Sequence, residues 1–199
     1  MILFIKSVFL FSVGMFLLVN PVTTAADQIK ITPKDLVAPL SSKLKYPLTK
    51  NESISCGRWG NKSQDYPYFG APRDRNTRNH AGVDIYPQEG VGAPVKALAD
   101  GTIIKIAPFY TRANGEVTYG VLVNHGDFVV NYAELKRPDI KVAAVIKQGQ
   151  KIGVISGTKQ LHFELYTKGT TDWLRWYGKQ PDNLIDPTDM LLTLFSKNR

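Results

Sequence analysis

The sequence predicts an all-β domain, an antiparallel β-sandwich or barrel-like fold closed by one short C-terminal helix. Three observations carry this. From Ala81 onward, runs of β-branched and aromatic residues alternate with Gly, Pro and Asp breaks. Turn dipeptides such as Asp100-Gly101 and Gly126-Asp127 join neighbouring runs directly. No helix-length amphipathic stretch recurs between the runs, which excludes the strand–helix alternation of a parallel sheet.

In order, the expected strands are Pro94–Leu98, Thr102–Tyr110, Val117–Asn124, Phe128–Leu135, Lys151–Ile155 and Leu161–Tyr166. The helix is expected over Thr188–Lys197, where Asp186 can cap and Pro187 suits the first turn. Residues 52–79 are rich in Gly, Pro, Tyr, Arg and Asn and read as a long irregular segment, functional or wrapped over a sheet. The chain contains no internal repeat and no low-complexity tract.

Composition narrows the function classes. A chain of 199 residues holds one domain with a real core or two very small ones. With 43% hydrophobic and 21% charged residues, wholesale disorder, collagen-like repeats and a polytopic membrane protein are excluded. One cysteine rules out an intrachain disulfide framework and a thiolate-rich zinc cluster. The three histidines are His80, His125 and His162, too few for a histidine-rich metal site. A net charge of +8 favours polyanionic surroundings such as nucleic acid, membrane headgroups or acidic cell-wall polymers.

The N-terminus removes one of those options. Lys6 precedes an apolar run too short to span a bilayer, and Asn20-Pro21 then leads to the small residues Ala25-Ala26. Residues 1–26 are therefore expected to be a cleaved secretory signal, with an uncleaved N-terminal anchor as the alternative, 27–70 an extended N-terminal segment and 71–199 the folded domain. Without residues 1–26 the chain has 24 basic and 17 acidic side chains, a net +7, and no expected integral membrane span. Its expected location is the periplasm or outside the cell. An exported protein does not meet the genome, so nucleic acid is not an expected partner.

Two short segments carry the chemistry, His80-Ala81-Gly82-Val83-Asp84 and Gln160-Leu161-His162-Phe163-Glu164. In an extended chain residues of equal parity share a face, so His80 can lie with Asp84, and His162 with Gln160 and Glu164. Two imidazoles and a carboxylate suit zinc with a fourth position left to water. Residue type alone leaves another reading open, in which each histidine is a hydrogen-bonded structural residue and Asp84 caps a turn.

"HAGVD" followed by "LHFELY" resembles the M23 family of lysostaphin-like zinc metallopeptidases, which cut peptidoglycan cross-links. "GAPVKALADGTIIKI", "VLVNHGDFVVNYAEL", "IKQGQKIGVIS" and "NLIDPTDML" resemble further family motifs in the same order, over residues 71–191. The resemblance implies one Zn2+ held by His80, Asp84 and His162, and a peptidoglycan or other envelope peptide as substrate. It also implies a structural role for His125 at the hairpin turn. Active members carry His-x-His and Tyr-x-His-Leu; here Gln160 and Glu134 stand at the two catalytic histidine positions. The approach "CGRWG…YFGAPR…HAGVD" also resembles leukocyte cell-derived chemotaxin-2, a secreted protein of this fold that keeps the zinc ligands without peptidase activity.

Glu134 can serve as the general base and Gln160 can donate an amide N–H to an oxyanion, though it cannot shuttle a proton. An exposed strand carboxylate or a fourth, closing ligand are the competing readings of Glu134. The expected function is an exported zinc endopeptidase with an altered site. The alternatives are an inactive module that binds wall peptides or regulates a partner hydrolase, and a secreted interaction factor. The basic, aromatic segments Trp59–Arg78 and Trp173–Lys179 suit an anionic polymer, while a solvated basic face accounts for the same charges.

Overall fold

Each of the long apolar runs forms a strand, and every ladder between strands is antiparallel. A computed structural model describes residues 43–48 and 67–197. The expected signal segment lies outside these residues, as do the other positions before 67 except 43–48.

The elements are β1 (Pro72–Arg73), β2 (Arg78–Asn79), β3 (Val83–Ile85), β4 (Pro94–Lys96), β5 (Gly101–Thr111), β6 (Val117–Asn124), β7 (Phe128–Leu135), β8 (Val145–Ile146), β9 (Lys151–Val154), β10 (Leu161–Thr167), β11 (Leu184–Ile185) and α1 (Thr188–Lys197). A seven-stranded sheet runs in the order β11-β10-β7-β6-β5-β8, with β3 also paired to β10. Two ribbons, β1–β2 and β4–β9, complete the fold. The long irregular segment thus ends in a small hairpin. The strands missed from sequence are β1, β2, β3, β8 and β11, each two or three residues long, too short for a period-two pattern to register.

The main sheet sorts its side chains by parity. On β10, Leu161, Phe163 and Leu165 enter the larger core, while His162, Glu164 and Tyr166 face the other way. On β7, Val130 and Tyr132 join the first set and Val129 the second. The opposing layer is not a second full sheet. It consists of the β4–β9 ribbon (Val95, Ile152), helix α1 (Met190, Leu191, Leu194) and residues 43–48. Leu44, Tyr46 and Leu48 insert into this core, and Lys45 N–H donates to the Leu98 carbonyl at 2.9 Å. Burial of these apolar side chains, at about 25 cal/mol per Å², is the main term that holds sheet, ribbon and helix together.

Helix α1 begins as its sequence dictates. Asp186 Oδ1 accepts the Thr188 N–H at 2.9 Å, and the first intrahelical bond runs from Leu191 N–H to the Pro187 carbonyl at 3.0 Å. Among the described residues, no helix is long and apolar enough to cross a membrane.

Candidate metal centre

Strand register builds the centre. β3 pairs with β10 so that Asp84 lies directly opposite His162. Residues opposite one another share a face, so both side chains project away from the larger core. His80 arrives by another route than parity: β3 starts only at Val83, and the chain bends at Gly82 to bring the ring back over Asp84. The bend runs so close to β10 that a Cβ on Gly82 would stand 2.4 Å from the Phe163 carbonyl oxygen and 3.0 Å from His162 Cε1.

Three donor atoms converge. His80 Nε2 lies 3.0 Å from His162 Nδ1, His162 Nδ1 2.9 Å from Asp84 Oδ1, and His80 Nε2 3.3 Å from Asp84 Oδ1. All three residues are buried. The outward nitrogen of each ring is committed elsewhere: His80 Nδ1 donates to the Tyr68 carbonyl at 2.9 Å, and His162 Nε2 to Glu164 Oε1 at 2.9 Å. The inward nitrogens therefore present lone pairs to each other and to a carboxylate oxygen. Such an arrangement requires a positive charge at its centre, from a proton on an imidazole or from a metal cation. A proton on His162 meets that demand. Burial pulls His162 down, but its bonds to Asp84 and Glu164 outweigh this and push it up to about 10. Burial opposes charge on Asp84 as well, and the two imidazoles hold its carboxyl below the usual range. Arg73 Nη2 sits 3.5 Å from the second oxygen of Asp84.

Glu134 reaches the same place by breaking the rule of alternation. Tyr119 pairs with Leu135 and Val121 with Tyr132, so β7 carries one more residue than β6 across this interval. This is a β-bulge. Glu134 adopts φ +66°, a left-handed backbone uncommon for a residue with a Cβ. Tyr132 and Leu135 both point into the core, and Glu134, which strict alternation would send there with Tyr132, instead lines the groove with His162. It is not the exposed carboxylate of the competing sequence reading: it is 6% exposed, and its Oε2 has no hydrogen-bond partner. Burial first, then the negative charge of Asp84, push its carboxyl up to about 7, while His162 and the Thr158 and Gln160 side chains pull the other way.

These groups lie in one groove of about 1250 Å³. Gln160 lines it beside His162, and Phe109 packs on the His162 ring with centroids 5.1 Å apart. Arg73, Arg75 and Arg78 from the β1–β2 hairpin and Arg175 from the segment after β10 contribute its cationic side. Trp59 lies outside the described residues, and the two tryptophans of the Trp173–Lys179 segment both line the groove but pack differently. Trp176 packs a loop, with Phe69 5.1 Å away and its indole N–H bonded to the Gly178 carbonyl. Trp173 lines the groove under Lys105, whose ammonium is 4.3 Å from the ring centre. His125 takes no part: its Nδ1 lies 2.9 Å from the Asp100 carbonyl and its Nε2 3.0 Å from the Tyr132 hydroxyl.

The sequence reading did not assign the groups that hold the candidate ligands in place. Glu164 shares parity with His162, so its closeness was visible, but its role as the acceptor for Nε2 was not. The Tyr68 carbonyl has no sequence signal at all.

An antiparallel sheet with a His–Asp–His triad at one edge of an open groove defines a class, and comparison with known proteins gives its family. Residues 78–172 match Peptidase family M23, so the chain carries an M23 peptidase domain. Glycyl-glycine endopeptidase ALE-1 of Staphylococcus capitis is 33% identical over 112 residues, 54% of this chain and 30% of that protein. Peptidoglycan DD-endopeptidase ShyC of Vibrio cholerae is 32% identical over 96 residues, 45% of this chain and 21% of that protein. A chain in the crystal structure of the SpoIIIAH and SpoIIQ complex shares the fold with a TM-score of 0.52 at 18% identity, covering 73% of this chain and 98% of that one. The chain spans less than a third of the length of both curated relatives.

Proposed function

We propose that this protein is a zinc metalloendopeptidase of the cell envelope that acts on the peptide cross-links of peptidoglycan, with Glu134 and Gln160 in place of the family's two catalytic histidines. The observation that carries the reading is the convergence of His80 Nε2, Asp84 Oδ1 and His162 Nδ1 at 2.9–3.3 Å from one another. Ligands about 2.0–2.1 Å from a tetrahedral zinc stand about 3.3 Å apart, so this donor set fits the ion with little adjustment. Zinc held there supplies a Lewis acid that polarises a peptide carbonyl and makes a water molecule acidic near neutral pH.

The protein's own groups supply the rest. Glu134, held at the groove by its bulge and with Oε2 uncommitted, accepts a proton at that oxygen. Gln160 donates an amide N–H to the oxygen that gains charge as the peptide bond is attacked. Phe109, backed edge-on by Trp173, covers the His162 ring from one side. The arginines of the β1–β2 hairpin and Arg175 attract a substrate that carries carboxylates. The names of the relatives, a glycyl-glycine endopeptidase and a peptidoglycan DD-endopeptidase, support the same substrate class. Lys6, the short apolar run and Ala25-Ala26 support export with loss of the first residues.

One observation favours a second reading, an inactive module that holds wall peptides or regulates a partner hydrolase. Neither catalytic histidine is present, and the chain's third histidine, His125, is committed to Asp100 and Tyr132. The test is release of soluble fragments from purified peptidoglycan by protein of measured zinc content. Release that a chelator abolishes and zinc restores supports the enzyme. Zinc-loaded, folded protein that co-sediments with peptidoglycan but releases nothing supports the module and overturns the enzyme.

A further inference from the structure

Behind the ligands, the groove face of β10 carries a buried polar chain that metal ligation alone does not require. We propose that Tyr166, together with Asn131, is a positioning residue that ties the groove-side backbone at Leu174 to the His162 ring through Glu164. The inference rests on the metal reading above.

Direction of donation carries the argument. Glu164, 2% exposed, accepts three hydrogen bonds: His162 Nε2 on Oε1 at 2.9 Å, and Asn131 Nδ2 at 2.7 Å and the Tyr166 hydroxyl at 2.9 Å on Oε2. A carboxylate is acceptor-only, so these three donors fix its rotamer. The Tyr166 hydroxyl could turn its proton elsewhere, but it accepts the Leu174 N–H at 3.0 Å, which leaves its own proton for Glu164. Leu174 follows Trp173 on the groove wall. The order is therefore Leu174 N–H to Tyr166 O–H to Glu164 to the His162 N–H, with the His162 lone pair facing the metal position.

Asn131 shows that the arrangement is selected for its donors. It is fully buried with its side-chain carbonyl unpartnered, while its N–H points at Glu164. Gly120 leaves the space: a Cβ there would stand 2.8 Å from that carbonyl oxygen and 3.3 Å from the Trp173 ring. An apolar core would fill this region without an orphaned acceptor. Carboxylates behind metal-bound histidines fix ring orientation and basicity, and losing such support weakens metal binding by about 10–100-fold.

The test is the zinc dissociation constant of Tyr166→Phe, read by chelator competition, alongside its thermal midpoint and the visible spectrum of the cobalt-substituted protein. Tyr132→Phe is the control. Tyr132 is equally buried, but its hydroxyl meets Leu98 N–H and His125 on the other face of the sheet, with no contact to Glu164. Both variants are expected to melt earlier, with zinc affinity down about 10–100-fold and the cobalt spectrum altered only in Tyr166→Phe. Asn131→Ala, which removes the second donor from the same oxygen, is expected to weaken zinc binding as well, and it decides the matter if Tyr166→Phe does not fold. Wild-type affinity in the Glu164-side variants, or an equal loss in Tyr132→Phe, overturns the inference and leaves the metal reading intact. A wild type that binds no zinc overturns both.

Discussion

Asp84 and His162, 78 residues apart in the chain, are direct partners in the β3–β10 ladder, with Asp84 Oδ1 2.9 Å from His162 Nδ1. The centre is thus assembled by strand register, and any change that shifts β3 along β10 dismantles it. A slip of one residue turns Asp84 to the opposite face. On the proposed zinc reading, metal binding depends on the integrity of this ladder.

The first expected outcome concerns the ligands. Wild-type protein prepared with zinc present should hold about one zinc per chain, and Asp84→Ala or His162→Ala should retain almost none after desalting. Two remaining ligands cannot enclose the ion tetrahedrally. Elemental analysis measures this directly. A metal-free wild type, or variants with full zinc, contradicts the assignment of His80, Asp84 and His162.

Gly82 offers a test of the ladder itself. An added methyl would meet the Phe163 carbonyl at 2.4 Å, a backbone atom that cannot yield without moving β10. Gly82→Ala should therefore cost about 1–3 kcal/mol of stability and also weaken zinc binding, because His80 and Asp84 flank the bend. Thermal melts and zinc content should fall together. A stable Gly82→Ala with full zinc would show that the bend is less confined than these distances indicate.

The two ends of this site differ in how readable they were. Long runs such as Val117–Asn124 and Phe128–Leu135 announced strands because β-branched and aromatic residues recur between clear turns. His80, Asp84 and His162 were legible through motif and residue chemistry. The parity argument for His80 and Asp84, however, reached a correct pairing for the wrong reason, since a bend at Gly82 and not a continuous strand joins them. Glu134 was found by its place in a motif, but its burial was not visible, because a one-residue bulge reverses the face that alternation assigns. Leu44, Tyr46 and Leu48 lie in a stretch with weak periodicity, and only tertiary contacts reveal that they belong to the core.

His125 gives a pH signature separate from the metal centre. Burial lowers its pKa below the ordinary value, with the bond to the Asp100 carbonyl opposing. The unfolded chain therefore binds a proton near pH 6.5 that the folded chain refuses until lower pH. Stability from this group is fully present above about pH 6.5 and is lost as pH falls toward the folded value, with a slope of at most about 1.4 kcal/mol per pH unit. Denaturant melts of wild type and His125→Gln between pH 5 and 7.5 read the difference. The variant should show a flatter acid limb and a uniformly lower midpoint, from its lost bond to Tyr132. Parallel curves would mean that His125 does not titrate differently on folding.

The decisive substitution is at Glu134. If its carboxylate is the working base, Glu134→Gln keeps shape, zinc and fold, and lowers hydrolysis of peptidoglycan by about 10²–10⁴-fold. The acid limb of the wild-type activity should report the same group. Activity requires the ionised form and falls as pH drops through its pKa, which burial raises to about 7 and which a cation beside it draws lower. The midpoint of that limb should therefore lie at or below about 7 and vanish in the glutamine variant. The inactive-module reading makes the opposite forecast, no hydrolysis by the wild type at any pH. In that case Glu134→His with Gln160→His restores the family pattern on a ligand set already in place. Histidine is among the residues that adopt positive φ more readily, so the bulge at position 134 can accept it. The pair should be tested together, because groups that act as a unit are not additive. At equal zinc occupancy, wild-type activity that survives Glu134→Gln removes the glutamate base, whereas silence in all three proteins, folded and loaded, makes the groove a binding site.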